Sequence, residues 1–146
     1  MFENSSNPAA ADGQAAIPRG NGQKVLFVDD EPLLTRLGEH FLRRLGYEPA
    51  TSTSPLLAIE MMRDSPFDLV VTDLTMPELS GLELGRRLQT MSPSVRVILT
   101  TAYHHLLEEK NVLMLGFSAL LLKPYNLQSL AKVLSDALNS RPAAAA

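Results

Sequence analysis

Short apolar runs alternate along this chain with longer segments in which apolar residues recur every three or four positions. Five runs predict strands: KVLFVD, YEPATS, DLVVTD, VRVILT and ALLL. Five segments predict helices: PLLTRLGEHFLRRLG, the segment from Ser54-Pro55 to Met62, GLELGRRLQTM, HHLLEEKNVLM and NLQSLAKVLSDAL. Most of the strands are continuous apolar runs, as a parallel sheet covered on both faces requires. The pattern therefore predicts a doubly wound α/β domain of five strand–helix units.

Individual residues predict where these elements end. Gly46 closes the first helix, and Ser54-Pro55 predicts an N-cap followed by a first-turn proline. Pro49 has no backbone N–H to donate, which indicates that the second strand lies at a sheet edge. The first and last helices carry apolar residues at helical spacing: Leu34, Leu37, Phe41 and Leu45, then Leu127, Leu130, Leu134 and Leu138.

The two ends of the chain lack this periodicity. Residues 1–23 are rich in Ala, Asn, Gly, Gln and Pro, which predicts a flexible N-terminal arm or linker. Residues 24–140 form the predicted folded domain, and residues 141–146 a disordered tail. A chain of 146 residues is long enough for one domain with a proper core.

Composition narrows the classes of protein. A formal net charge of −3 argues against nucleic acid or an anionic membrane as a partner. The chain has no cysteine, which excludes disulfides, thiolate metal sites and cysteine nucleophiles. No apolar run approaches the length of about 18 residues that spans a bilayer, and the N-terminus lacks the pattern of a secretory signal. We therefore expect a cytoplasmic protein.

Chemically active side chains stand at the ends of several predicted strands. Asp29 and Asp30 end the first strand, Asp73 the third and Thr101 the fourth, and Lys123 follows the fifth. Each signal alone is weak, because an acidic pair or a Lys-Pro is usually a solvated turn. The carboxyl ends of parallel strands meet at one edge, however, so these groups should converge. Crowded carboxylates beside a lysine suit Mg²⁺ and nucleophilic attack on phosphorus.

Four motifs, in order along these strands, resemble the receiver domain of two-component response regulators: VLFVDDEP, VVTDLTMPELSGLEL, ILTTA and LLLKPY. The resemblance runs from about Lys24 to Leu138 and implies a flavodoxin-like sheet of strand order 2-1-3-4-5. It implies that Asp73 is the phospho-acceptor. It also implies a Mg²⁺ site formed by Asp29, Asp30 and Asp73, completed by the carbonyl of Thr75.

The resemblance further implies how the site works and switches. Lys123 would pair with the phosphoryl group and precede a cis peptide bond, and Thr101 would be the switch hydroxyl. The aromatic residue that family members often carry three positions before the lysine is replaced here by Leu120. We therefore expect Thr101 to move on phosphorylation while Leu120 changes little, with the signal leaving around residues 103–107. Tyr125 is interpreted as a packing or surface residue.

The implied function is a signalling module in a two-component phosphorelay. It would take a phosphoryl group from a histidine kinase or a histidine phosphotransfer protein, and signal to a downstream protein by contact. It would not be an enzyme in the turnover sense, although its site would catalyse phosphotransfer and autodephosphorylation. The chain ends soon after the fifth helix, so we expect no output domain. PRGNGQ also resembles the linker before receivers at the end of hybrid sensor kinases.

The alternative function is an aspartyl-phosphate phosphohydrolase of the haloacid dehalogenase type. Such enzymes need a second acid two residues after the nucleophile, where Asp73 is followed by Thr75, and a cap domain for which this chain has no room. A nucleotide-binding protein is disfavoured, because neither a P-loop nor a GxGxxG motif occurs. His104 and His105 are interpreted as solvated or packing residues, and Met61, Met62 and Met114 as core residues.

Overall fold

The computed structural model describes residues 17–102 and 108–140, which form one parallel five-stranded sheet flanked by helices. The strands are β1 (Lys24–Val28), β2 (Glu48–Ser52), β3 (Leu69–Asp73), β4 (Arg96–Thr101) and β5 (Ala119–Leu122). Their order in the sheet is β2-β1-β3-β4-β5, and every pair is parallel. The predicted doubly wound fold and its strand order are confirmed, and β2 with Pro49 lies at an edge as expected.

Five helices connect the strands: α1 (Pro32–Arg44), α2 (Pro55–Asp64), α3 (Gly81–Met91), α4 (Glu109–Met114) and α5 (Leu127–Asn139). Their ends follow the capping signals. The Ser54 hydroxyl accepts the N–H of Leu57 at the start of α2, and Gly46 has φ of +92° just after α1. The predicted HHLLEEKNVLM helix is observed from Glu109; its histidines and the proposed exit around residues 103–107 lie outside the described residues.

The sheet is buried on both faces, which explains why the strands read as continuous apolar runs. On one face, Val70 packs in a core under α2, α3 and α4. On the other, Leu69 and Val71 pack in a core with residues of α1 and α5. Each fully buried aliphatic side chain contributes about 1.5–3 kcal/mol relative to its exposed state. The central strands therefore form a rigid base for whatever follows their ends.

Helix α1 packs on a different face from the one that its leucine spacing marks. Its buried residues are Thr35, Gly38 and Leu42, whereas Leu37 is 42% exposed. A Cβ at position 38 would stand 2.6 Å from the ring of Phe27, so the glycine admits that ring from β1. The prediction of a core methionine was correct for Met62 but wrong for Met114, which is 82% exposed.

The residues just before β1 contact the turn between α1 and β2. The N–H of Gly20 donates to the carbonyl of Leu45 at 2.6 Å, and that of Gly22 to the carbonyl of Gly46 at 2.8 Å. Gly20 lies against the ring of Tyr47, where a Cβ would not fit. The division into an arm, a domain and a tail stays a prediction, but this segment makes specific contacts with the folded part.

Two backbone features shape the carboxyl edge of the sheet. Gly81 begins α3 against the carbonyl of Asp73, where a side chain would collide with the backbone, and its N–H donates to the carbonyl of Leu74 at 2.7 Å. The predicted cis bond between Lys123 and Pro124 is observed. Within the described ranges, none of the helices has both the length and the apolar character needed to cross a membrane.

Candidate functional site

Three strands bring polar residues together at the carboxyl edge of the sheet, although β4 lies between β3 and β5. Asp29 follows β1, Asp73 ends β3, and Lys123 follows β5. The backbone fixes each of them: the N–H of Asp29 donates to the carbonyl of Ser52 on β2, and the N–H of Lys123 donates to the carbonyl of Thr101 on β4. These bonds extend the strand pairing by one residue, so the side chains leave the sheet from rigid positions.

Lys123 bridges two carboxylates. Its Nζ lies 2.9 Å from Oδ2 of Asp29 and 3.2 Å from Oδ1 of Asp73. Asp29 is 1% exposed and Asp73 9% exposed, which means that both charges have lost most of their contact with water. Buried carboxylates of like charge are unstable together unless a cation compensates them. The lysine supplies one positive charge at the point where the two acids meet.

The pKa values of Asp73 and Lys123 reflect the balance between burial and the neighbouring charges. Burial raises the pKa of Asp73, the charge of Lys123 lowers it, and the neighbouring Asp29 and Asp30 raise it, so it lies above its ordinary value. For Lys123, burial lowers the pKa, but the hydrogen bond and charge of Asp29, together with Asp73, raise it above its ordinary value. Lys123 therefore stays charged at neutral pH, while Asp73 carries a net penalty for ionising.

The carboxylates of Asp29, Asp30 and Asp73 can hold a divalent cation. One oxygen from each lies within 4.8 Å of the others. Three carboxylates and one ammonium leave a net charge of −2 at the site, which a divalent ion would neutralise. Oxygen ligands of this kind suit Mg²⁺, which also keeps several waters. The residues therefore fit the predicted metal.

A cavity of about 250 Å³ opens beside these carboxylates. It is lined by Asp30, Glu31, Leu34, Asp73, Thr75, Thr101, Ala102 and Lys123. The structure thus brings all six predicted site residues to one edge of the sheet, with Asp29 buried beneath. Thr75 is exposed at the rim, whereas Thr101 is buried at the end of β4. The roles assigned to these residues remain predictions.

An apolar groove of about 310 Å³ adjoins that cavity. It is lined by Leu34, Leu37, Ala102, Lys123, Pro124 and Tyr125. Burial, reinforced by the charges of Asp29 and Asp73, raises the pKa of Tyr125 to about 12, so its hydroxyl is neutral. The sequence analysis missed this groove, because the leucine spacing of α1 indicates residues packed in the core and gives no sign that Leu37 is exposed.

Residues 25–135 match the family model of the response regulator receiver domain. The chain belongs to this family. Receiver domains serve as phospho-acceptors in two-component signalling and are not enzymes in the turnover sense. The phosphohydrolase alternative receives no support.

Similar proteins of known identity support membership of this family. The chain is 34% identical over 119 residues to the transcriptional regulatory protein ZraR of Klebsiella oxytoca, and the match covers 82% of this chain and 27% of the relative. It is 35% identical, with the same coverage, to the response regulator protein PilR of Pseudomonas aeruginosa. The chain thus spans about a quarter of the length of these curated relatives.

Solved receiver folds superpose over most of the chain. A receiver domain protein of Clostridium thermocellum has a TM-score of 0.74 and 28% identity, covering 80% of this chain and 94% of its own. The chemotaxis response regulator CheY4 of Vibrio cholerae has a TM-score of 0.72 and 27% identity, covering 81% of this chain and 100% of its own.

Leu120, at the aromatic position of the family, is partly buried. It pairs with Leu99 on β4 and packs against the core under α2, α3 and α4. The next residue on the same side of β5, Leu122, is 45% exposed. At the end of α4, Leu113 is 48% and Met114 82% exposed. The described residues therefore give the Leu120 side chain a packing role in this state.

Replacing Asp73 with Asn should stabilise the metal-free protein at neutral pH. Because the pKa of Asp73 is higher in the folded than in the unfolded chain, the folded state loses stability as pH rises between the two values. An amide removes that penalty, while Lys123 keeps Asp29 as a partner. The gain in the free energy of unfolding should be complete above the raised pKa of Asp73 and absent below its ordinary pKa of 3.8.

Urea unfolding with a chelator present, repeated from acid to neutral pH, measures this difference. Asp64→Asn, at an exposed carboxylate of α2, serves as the matched control and should show no such rise with pH. A variant at Asp73 that is less stable than the wild type at neutral pH, or whose gain does not change with pH, contradicts the prediction.

Proposed function

We propose that Asp73 accepts a phosphoryl group from a phosphohistidine of a histidine kinase or histidine phosphotransfer protein. The observation that carries this proposal is the bridge in which Lys123 contacts both Asp29 and Asp73 at the rim of a cavity. Asp73 is the carboxylate at the end of a strand buried on both faces, so its position is fixed. A nucleophile held this way loses little freedom when the donor arrives.

The reaction forms one bond and breaks another. An oxygen of the ionised Asp73 attacks phosphorus, a P–O bond forms, and the P–N bond of the donor breaks with its electron pair going to the imidazole. Lys123 neutralises negative charge on the phosphoryl oxygens as it transfers, and the hydroxyl of Thr101 donates to one of them. Later attack by water on phosphorus regenerates the Asp73 carboxylate and releases phosphate, catalysed by the same residues.

Mg²⁺ would be held by Asp29, Asp30, Asp73 and the carbonyl of Thr75. When bound, this ion supplies positive charge beside the phosphoryl oxygens. The residues of the chain have separate roles. Asp29 keeps Lys123 charged and oriented, and Asp30, which is more accessible to solvent, lies on the side from which the ion would enter. The −2 balance of the acids and the lysine supports a divalent rather than a monovalent ion.

The apolar groove beside the site is proposed as the surface that receives the donor. It shares Leu34, Ala102 and Lys123 with the phosphoryl cavity, so a protein that brings its histidine to Asp73 must cover it. Leu37 and Tyr125 extend the groove away from the charges. A helix of the donor with apolar side chains next to the histidine has the matching chemistry.

The output is proposed to be a conformational change read by a downstream protein. Thr101 moves toward the phosphoryl group, and the signal leaves through the segment after β4. Curated relatives include the transcriptional regulatory protein ZraR and also the sensor histidine kinase RcsC of Salmonella typhi, which is 30% identical over 111 residues.

Asp73→Asn should abolish labelling by radioactive acetyl phosphate, because the amide oxygen is not a nucleophile for phosphorus. The wild type should take up one phosphoryl group per chain, measured by intact mass. Asp68→Asn, an acid just before β3, should label like the wild type. Undiminished labelling of the Asp73 variant, or catalytic turnover of a phosphomonoester by the wild type, contradicts the proposal.

Mg²⁺ should raise the free energy of unfolding of the wild type, since it binds the folded state only. At a concentration about ten times Kd, the expected gain is roughly 1.4 kcal/mol. Asp30→Ala should lose most of this gain, and Asp64→Ala should keep it. The measurement is urea unfolding with and without Mg²⁺, and a gain that survives in the Asp30 variant places the metal elsewhere.

Leu37→Glu should separate donor recognition from chemistry. Leu37 is 42% exposed, so the glutamate can be solvated in the free protein, but a covered groove would bury its charge. Transfer from a phosphorylated histidine phosphotransfer protein should slow by about ten-fold, equal to about 1.4 kcal/mol, while labelling by acetyl phosphate is unchanged. Leu113→Glu, at a 48% exposed leucine of α4, is the control. Equal transfer rates for the two variants exclude the groove as the docking surface.

A further inference from the structure

The loop between β3 and α3 carries Thr75 and is held mainly at its base. Gly81 closes it by donating to the carbonyl of Leu74 at 2.7 Å, and within the tip the N–H of Leu79 donates to the carbonyl of Pro77 at 2.9 Å. Between them Glu78 has φ of +75°. Residues with a Cβ are uncommon in this left-handed region, because the side chain crowds the backbone. A Glu there needs a compensating contact.

Ser54 provides that contact. Its hydroxyl donates to Oε1 of Glu78 at 3.1 Å, across 24 positions of sequence. Among the hydrogen bonds of the described residues, this one alone joins a side chain of the loop tip to a different loop. We name it the clasp. The glutamate is exposed, so burial does not explain why the chain places a carboxylate at this point.

Ser54 is itself firmly placed. It caps α2 by accepting the N–H of Leu57 at 3.1 Å, and its backbone makes two bonds with the hydroxyl of Ser52, at 2.8 and 3.1 Å. The carbonyl of Ser52 in turn accepts the N–H of Asp29. A continuous path of hydrogen bonds therefore runs from buried Asp29 through Ser52 and Ser54 to Glu78.

The path connects one proposed metal ligand to the loop that carries another. One end is Asp29, and the other is Glu78, three residues beyond Thr75, whose carbonyl is the proposed fourth ligand. If the tip of the loop were released, this carbonyl would have to be ordered when the ion binds, and that ordering lowers affinity. A tip that is already fixed relative to Asp29 binds the ion without this loss.

We propose that the Ser54–Glu78 clasp is a positioning contact that fixes the Thr75 loop relative to Asp29 and so prepares the site for Mg²⁺. The role rests on the proposed function, because it presupposes a metal at Asp29, Asp30 and Asp73. Glu78 is a positioning residue and touches neither the phosphoryl group nor the ion. Loss of the clasp should raise the concentration of Mg²⁺ that the reaction needs. It should not change the rate of phosphorylation at saturating Mg²⁺.

Glu78→Ala and Glu78→Gln form the matched pair for the test. Both remove the charge and both keep a Cβ at the same φ, but only glutamine keeps an oxygen that can accept from Ser54. In the alanine variant, the Kd for Mg²⁺ from an NMR titration should rise by about two- to ten-fold, the effect expected of one hydrogen bond. In the glutamine variant it should stay within about two-fold of the wild type.

Two further readouts separate positioning from general stability. In the metal-free protein, NMR order parameters of the backbone amides of residues 75–79 should fall in the alanine variant and recover in the glutamine variant. The rate of acetyl phosphate labelling at saturating Mg²⁺ should match the wild type in both. Because Ser54→Ala also removes the cap of α2, a double-mutant cycle is needed, and Glu78→Ala should add little in the Ser54→Ala background.

The outcomes distinguish this inference from the proposed function. An unchanged Kd in Glu78→Ala, or equal Kd values in the two Glu78 variants, overturns the clasp while labelling of Asp73 still supports the function. A labelling rate that falls at saturating Mg²⁺ also overturns it, since that reports damage to the reacting groups. A wild type that binds no Mg²⁺ overturns the proposed function, and the clasp's role falls with it.

Discussion

The structure depends on one ammonium group that keeps two buried carboxylates together. Lys123 lies 2.9 Å from Asp29 and 3.2 Å from Asp73, and without it two like charges would face each other at a site where water is largely excluded. Removing the lysine would leave two buried carboxylates without a compensating charge, which is strongly destabilising. One cation for three acids leaves the site short of positive charge. That shortage favours the uptake of a divalent cation, whose charge would also offset the negative charge of a phosphoryl group.

The fold holds these charges because their strands cannot move easily. β3 is buried along its whole length, and Asp73 is its last residue. Gly81 packs so closely on the carbonyl of Asp73 that no side chain would fit there. The raised pKa of Asp73 shows that burial and acidic neighbours outweigh the lysine. The ionised Asp73 therefore makes the folded protein less stable than it would be with a neutral side chain at this position.

Much of the site was predictable because it lies at strand ends. Continuous apolar runs indicated that both faces of the sheet are buried. Because the strands are parallel, their carboxyl ends, with Asp73 and Lys123, lie at the same edge. The rotation of α1 was not predictable from spacing. Leucines mark one side of that helix, yet Gly38 lets the Phe27 ring approach and turns the glycine side inward. A missing side chain gives no hydrophobic signal, so the groove beside Lys123 emerged only in three dimensions.

Side-chain hydrogen bonds between loops were also beyond sequence reasoning. Nothing in the residues near Ser54 points to Glu78, because exposed serine and glutamate are common and their pairing depends on how two loops approach. The same holds for the contact of Gly20 with Tyr47 before β1.

Lys123 links the cavity beside the carboxylates to the adjoining apolar groove. It lines the phosphoryl cavity and the apolar groove, together with Leu34 and Ala102. Its ammonium contacts the acids, while the next two residues, Pro124 and Tyr125, line the groove. Any protein that covers the groove also removes water from the lysine and strengthens its attraction for the carboxylates and the phosphoryl oxygens. In the proposed function, docking and chemistry would therefore act on the same residue, which would couple recognition of a donor to the reaction at Asp73.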